Sequence, residues 1–194
     1  MRNLGFDLII LGAPAAGKDT QAALIMKKYK LKPVESGKYW RRMAKQKNAE
    51  GELLRRTFSK GHPAPVNLMK KFLTDQLKKV SNNSDLIFIG NPRLKPEAQL
   101  LVKLLKAKKR DFLVLNIDIP VAEIRKRSLL RMRDEQDWKY IPNRIKMYKL
   151  QMGKTLAYFK ALKKLQTING NREIKQVAAD IDKRINDYQR QQAN

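Results

Sequence analysis

The sequence predicts an α/β protein, a doubly wound parallel sheet of five strands with helices on both faces, and two observations carry that prediction. Apolar runs at residues 7–11, 86–89, 112–117 and 165–168, with a weaker fifth at 31–34, alternate with longer segments of helical period. Strands that alternate with helices pair in parallel, because each return needs a crossover. The second observation is a glycine-spaced turn directly after the first run, at a strand-to-helix junction of the kind where such sheets bind ligands. With 194 residues and 42% hydrophobic content, one ordinary core and one domain with inserted excursions are expected.

Taken in order, the run at 7–11 leads into Gly12-Ala13-Pro14-Ala15-Ala16-Gly17-Lys18, after which Ala22, Ala23, Ile25 and Met26 open an amphipathic helix. Gly12, Gly17 and Lys18 fit the GxxxxGK spacing of a P-loop. In such a loop backbone N–H groups point at phosphate oxygens and the helix dipole adds about half a positive charge. Lys18 would reach the terminal phosphates of a nucleotide. Asp19 stands where most P-loops place Ser or Thr, and the hydroxyl follows at Thr20. Glycine-rich strand-to-helix turns also occur without a ligand, and Arg2, the apolar run and the small residues 13–16 mimic a signal peptide. Asp7 inside the apolar region and the continuation through Lys18 and Asp19 into a helix argue against a leader.

Beyond the run at 31–34, residues 36–77 are too long for a simple crossover. They read as two or three helices punctuated by Gly51 and by Gly61-His62-Pro63-Ala64-Pro65, a helical flap inserted into the core. Gln99, Leu100, Leu101, Leu104 and Leu105, opened by Pro96, form an apolar-rich helix, and Ile174, Val177, Ala178, Ile181 and Ile185 form another. Both would cover the sheet. A short excursion at 131–137 separates two helices, residues 189–194 are expected to fray, and no repeat or linker marks a second independent domain.

Lys and Arg number 43 against 18 acidic residues, a net charge of +25, which favours polyanionic partners. Solvated faces of amphipathic helices at 70–79, 103–110 and 160–164 are the simpler account of the excess. No aromatic-interleaved basic motif supports specific recognition, so nucleic-acid binding is expected only as an incidental property. No apolar run approaches the ~20 residues of a membrane span. Cysteine is absent, so disulfides and thiolate metal sites are excluded. A cytosolic protein without membrane association is expected.

Ser36-Gly37-Lys38-Tyr39-Trp40-Arg41 follows the second run, Gly90-Asn91-Pro92-Arg93 the third, and Arg131, Arg133 and Arg144 come after the fourth. Ligands bind at the carboxyl ends of strands in such sheets, so these segments should converge on one cleft. Arginine suits phosphate because its planar fork makes bidentate, charge-assisted hydrogen bonds.

This order of segments resembles the adenylate kinase and wider nucleoside monophosphate kinase family of P-loop NTPases, over about residues 6–185. GAPAAGKDTQA is similar to that family's GxPGxGKGTQ loop, ESGKYWRR to STGDxLR, and IGNPR to DGFPR. RSLLRMRDEQD followed by NRIKMY is similar to the lid arginines and the R-x-x-x-Y helix. The resemblance implies a core of 1–34, 66–130 and 138–194, a monophosphate-binding flap at 35–65 and a short lid at 131–137. It implies transfer of the ATP γ-phosphoryl group to a nucleoside monophosphate, AMP first, by a monomer, with Mg²⁺ carried by the donor. Gly12, Ala13, Pro14, Ala15, Ala16, Gly17, Lys18, Asp19, Thr20 and Arg131 would hold ATP. Ser36, Gly37, Arg41, Pro63, Ala64, Gly90, Arg93, Glu97, Arg133 and Arg144 would hold the acceptor. Arg41 and Arg93 would grip its α-phosphate, Arg131 and Arg133 would close over the transferring group, and Arg144 would reach it from the next helix. With Lys18 these supply charge neutralisation and alignment, most of what phosphoryl transfer asks of a protein.

Three departures from the family pattern bear on the chemistry. Ile89 stands where members carry the Asp that holds Mg²⁺ through water, and Asp19 replaces a glycine, so the carboxylate is expected to have moved to Asp19. Glu97 replaces a glutamine that reads adenine; an ionised carboxylate only accepts hydrogen bonds, which suits guanine's edge and keeps GMP, with CMP and UMP, as alternatives. Gln99 could take the role after a register shift. His62, the only histidine, is expected to be a loop residue without a catalytic role, and Trp40 and Trp138 are expected to pack. The lack of cysteine excludes a cysteine-ligated zinc lid. The rival reading is a P-loop scaffold that lost turnover with its strand-end Asp and binds nucleotide or RNA; the lid arginine pair argues for the enzyme.

Overall fold

Five strands, β1 (Asp7–Gly12), β2 (Leu31–Val34), β3 (Asp85–Ile89), β4 (Phe112–Asp118) and β5 (Leu165–Asn169), pair in parallel in the order β2-β3-β1-β4-β5. The structure, a computed structural model, describes residues 2–80, 84–130 and 137–193. β1 lies at the centre, and Leu8, Ile9, Ile10 and Leu11 have no exposed area. A strand buried on both faces reads as a continuous apolar run, which is why it was plain in the sequence. β2 was the weakest run because it is an edge strand: Lys32 and Pro33 are exposed, and the edge tolerates a proline without an N–H donor.

Alternation along β1 divides the apolar interior in two. Leu8 and Ile10 face Ala22 and Ile25 of α1 (Lys18–Lys28) and Val177, Ile181 and Ile185 of α8 (Ile174–Ala193). Ile9 and Leu11 face Phe72 and Leu73 of α4 (Val66–Lys78) and Leu101 and Leu105 of α5 (Lys95–Ala107). α6 (Val121–Leu130) follows β4, and α7 (Ile141–Ala161) joins both clusters, Ile141 and Ile145 entering the first and Met152 and Phe159 the second. The expected fraying is corrected at 189–193: α8 continues to Ala193, and Gln189 Nε2 donates to the Leu4 carbonyl at 3.2 Å.

The long stretch between β2 and β3 forms α2 (Ser36–Ala44), α3 (Ala49–Arg56), a 3₁₀ turn at Phe58–Lys60, and α4. Asn48 caps α3 by accepting from the Gly51 N–H at 2.8 Å. Gly51 is required there, since a Cβ would lie 2.2 Å from the Gln46 carbonyl oxygen. Trp40 is buried against Tyr39 and Phe72, the packing role expected of it. The side chain of Trp138 lies outside the described residues.

The amino ends of the strands are tied by paired charges. Asp7, with no exposed area, accepts from Arg110 Nε at 2.8 Å and from the Leu86 N–H at 2.8 Å, and Arg110 also donates to the Ser84 carbonyl at 2.7 Å. The Asp7 carboxylate raises the Arg110 pKa above its ordinary value. Nearby, Asp111 accepts from Lys164 Nζ and from the Tyr188 hydroxyl, each at 2.6 Å.

Candidate active site

At the other end of the sheet, the β1–α1 loop turns under tight steric control. Gly12 has φ 141, and a Cβ there would lie 2.4 Å from the Ile117 carbonyl oxygen, so only glycine lets the end of β1 pass β4. Ala15 (φ 58) and Gly17 (φ 90) are left-handed, a geometry that turns backbone N–H groups into an anion-binding concavity at the start of α1. Lys18 Nζ donates to the carbonyls of Gly12 at 3.0 Å and Ala13 at 2.6 Å. Gly90 (φ 69), at the end of β3, is left-handed, the conformation that favours glycine, and lies beside the lysine: a Cβ there would be in ordinary contact with Lys18 Cε at 3.4 Å.

The loop opens onto a cavity of about 870 Å³. Its wall brings together Gly12, Pro14, Ala15, Lys18 and Asp19 from the β1–α1 loop, Gly37, Arg41 and Pro63 from the segment between β2 and α4, Gly90 and Arg93 from the turn after β3, and Arg144 from α7. Ile89 is on the same wall. Ala13, Ala16, Gly17, Thr20, Ser36, Ala64 and Glu97 are not. Ala13, Ala16 and Ala64 bury their side chains in the core, Ser36 is buried at the start of α2, and Thr20 is exposed beside the loop. What Ala13, Ala16 and Gly17 can offer a ligand is backbone N–H. Arg131 and Arg133, with residues 131–136 of the expected lid, lie outside the described residues.

Arg93 is held from several sides. Its Nε donates to the Gly90 carbonyl at 3.1 Å, and its guanidinium stands 5.8 Å from the centroid of the Phe58 ring. Its main-chain N–H donates to Glu97 Oε2 at 2.8 Å, and its carbonyl accepts from Thr155 Oγ1 at 3.0 Å. Burial pushes the guanidinium below its ordinary pKa while the Glu97 charge acts in the opposite direction. Arginine remains a cation in that setting.

Glu97 requires a correction. It was expected to read the acceptor base, but it is 1% exposed, and its Oε2 accepts from the N–H groups of Arg93 and Leu94, at 2.8 and 3.2 Å, closing the first turn of α5. Burial raises its pKa above the ordinary carboxylate value. Gln99 is exposed and also away from the cavity wall, so the register shift is not realised.

The wall includes residues that sequence reasoning passed over. Phe58 stacks toward Arg93, and Arg55 Nη1 donates to the carbonyls of Ala44 at 2.6 Å and Gln46 at 2.9 Å, tying off the C-terminus of α2. Phe58 carried a faint signal as an aromatic three residues before Gly61. Tyr140, Met147, Tyr148 and Gln151 extend the wall along α7, and His62 stands at its flap side. Burial, with the charge of Asp118, pushes the Tyr148 hydroxyl pKa up to about 12. Gly61 (φ 86) lets the flap lie against α7: a Cβ there would be 2.9 Å from the Tyr140 carbonyl oxygen and 3.1 Å from Arg144 Cγ. Asn143 Nδ2 donates across the same contact to the Lys60 carbonyl at 3.3 Å.

Comparison with known proteins bears on this arrangement. Residues 10–164 match the family model described as adenylate kinase. The chain is 32% identical over 190 residues to an adenylate kinase of Azobacteroides pseudotrichonymphae, covering 95% of this chain and 97% of that one. It is 27% identical to an adenylate kinase of Methanothrix thermoacetophila, with 94% and 100% covered, and 28% identical to one of Bacteroides fragilis, with 92% and 97% covered.

Proposed function

The chain belongs to the adenylate kinase family and is a nucleoside monophosphate kinase, and from that premise we propose that it transfers the γ-phosphoryl group of ATP to AMP, giving two ADP, through the residues gathered on the cavity wall. The observation that carries the assignment of roles is the convergence of Lys18, Arg41, Arg93 and Arg144 on one cavity beneath the loop that begins α1. The backbone N–H groups of residues 12–17 and Lys18 hold the donor's β- and γ-phosphates. Arg41 and Arg93 hold the acceptor's α-phosphate in line, and Arg144 neutralises charge on the group in flight. Residues 35–65 act as the acceptor flap, and 131–137 as the lid that brings Arg131 and Arg133 over the reacting phosphates and excludes water.

Mg²⁺ enters with ATP, whose phosphates supply ligands alongside water, so the protein needs to offer only one or two carboxylates. Among the described residues no group of three acidic, histidine or cysteine side chains comes together as a metal site. Asp19, on the wall that also carries Ile89, fits the modest demand and would hold the hydrated ion through water. When bound, the ion neutralises charge shared by the β- and γ-oxygens.

AMP is preferred over GMP because Glu97, 1% exposed and off the cavity wall, does not present its carboxylate to a base. A monomeric, cytoplasmic enzyme completes the reading. No helix among the described residues is long and apolar enough to cross a membrane. Diphosphate formation from ATP with AMP, GMP, CMP and UMP, with and without Mg²⁺, tests the proposal. Mg²⁺-dependent ADP formation with AMP foremost is expected; ATP binding without turnover on any acceptor would overturn it.

A further inference from the structure

The charge of this chain is distributed unequally between the two sides of the sheet. α5 lies between α4 and α7, and together the three helices carry eleven cations and two carboxylates. Of those two, Glu97 is buried as a helix cap and Asp75 is half-buried. Lys70, Lys78, Lys103, Lys106, Lys154 and Lys160 are all exposed, and none forms an ion pair or hydrogen bond among the described residues. On the opposite side, α1 and α8 carry seven cations and four carboxylates, a smaller excess, and part of it is paired: Lys28 with Asp182, and Arg190 with Asp187. A solvated amphipathic helix needs no such asymmetry.

The surface between these lysines identifies the partner. Asn67, Gln99, Ala107, Gly153 and Ala157 are exposed there, and Leu150 apart, no large apolar side chain of the three helices is. A face that enters a membrane interface presents several apolar residues, and a face that reads single strands presents aromatic platforms. Neither is built here. What remains is a field of point charges. Helix axes about 8–10 Å apart spread it over about 20 Å, wide enough to reach both backbones of a duplex. Contacts of that kind fix position and carry no sequence information. None of the six lysines lies on the wall of the active-site cavity. We propose that the outward face of α4, α5 and α7 docks the phosphate backbone of duplex nucleic acid, independently of sequence and apart from the site of phosphoryl transfer.

Fluorescence anisotropy of labelled duplex RNA and duplex DNA, titrated with the full chain, tests this. Six phosphate contacts predict a logarithmic salt slope of about −5, or about a thousandfold loss of affinity between about 50 and about 200 mM salt. Lys103→Glu/Lys106→Glu/Lys154→Glu should weaken binding at least about tenfold and reduce the slope by about three, with kinase turnover unchanged. Lys27→Glu/Lys175→Glu/Lys183→Glu, which removes the same charge from the opposite side, should retain most of the affinity. If the first triple variant also loses turnover, Lys103→Gln/Lys106→Gln carries the same comparison. Equal weakening by both triple variants would overturn the proposal, because net charge and not a face would then bind. Displacement of the duplex by excess ATP would overturn it by placing the contact in the cavity. So would absence of duplex binding, including the case in which only phosphatidylserine vesicles are bound.

Discussion

At the amino ends of β1 and β4, Asp7 receives Arg110, and Asp111 receives Lys164 and Tyr188. At the carboxyl ends Lys18 rests on the carbonyls of Gly12 and Ala13, and Arg93 on that of Gly90. The residue types are similar and the partners differ. A carboxylate cancels a cation's charge, whereas a carbonyl orients the cation. Arg93 makes the distinction plain, because Glu97, close enough to bond it, takes its main-chain N–H and not its guanidinium. One end of the sheet is arranged to hold strands together and the other to bring cations to the cavity wall.

The sharpest way to break that comparison is to exchange the two kinds of loss. Arg110→Ala leaves Asp7 buried beside no cation, and about 3–5 kcal/mol of stability should disappear, read as a lower denaturant midpoint, while turnover per folded molecule persists. Arg93→Ala should do the reverse: about 3 kcal/mol of transition-state stabilisation lost, a more than hundredfold fall in kcat/KM, with the midpoint little changed. Should both variants lose stability and turnover together, the division between the two ends would be wrong.

Asp19→Ala refines the carboxyl-end account. Mg²⁺-dependent turnover should fall about tenfold while ATP affinity, measured by calorimetry, holds; unchanged turnover would leave the ion entirely to the nucleotide. Thr155→Val is subtler, since it preserves shape and leaves the Arg93 carbonyl without its donor at a cost of about 1–3 kcal/mol. The KM for AMP should rise severalfold with the KM for ATP unchanged, because Thr155 acts through Arg93.

The smallest effect concerns acid. Burial works against ionisation of Asp111, but Lys164, Tyr188 and the Phe112 N–H outweigh it and hold the carboxyl below its ordinary value of 3.8. The folded state therefore binds fewer protons than the unfolded chain in that range. The contribution of Asp111 is present above pH 3.8 and is lost as pH falls through the lowered folded value. Asp111→Asn should flatten this part of the acid-unfolding curve.

The strands were legible because β1, β3 and β4 are buried on both faces along most of their length, and such strands read as near-continuous apolar runs. β2 was faint because an edge requires no such run. The P-loop was legible because its demands are local: Gly12 cannot carry a Cβ beside Ile117, and Gly17 must sit left-handed ahead of α1. Glu97 misled for the opposite reason. Its spacing from Arg93 suits either a base contact or an N-terminal cap, and only the packing of α5, which buries Ala98 and Leu101, decided that the carboxylate turns back on its own helix.

Local sequence thus determined the strand-helix alternation, the glycine-spaced loop before α1 and the arginines that follow the strands, because each depends on residues a few places apart. Tertiary structure alone decided that Phe58 meets Arg93, that Gly61 admits the flap against α7, and that Asp7 finds Arg110 across 103 positions. It also set α4, α5 and α7 side by side so that their lysines share one face. These contacts join segments distant in the chain, and the burial that makes each of them favourable exists only once the sheet has brought those segments together.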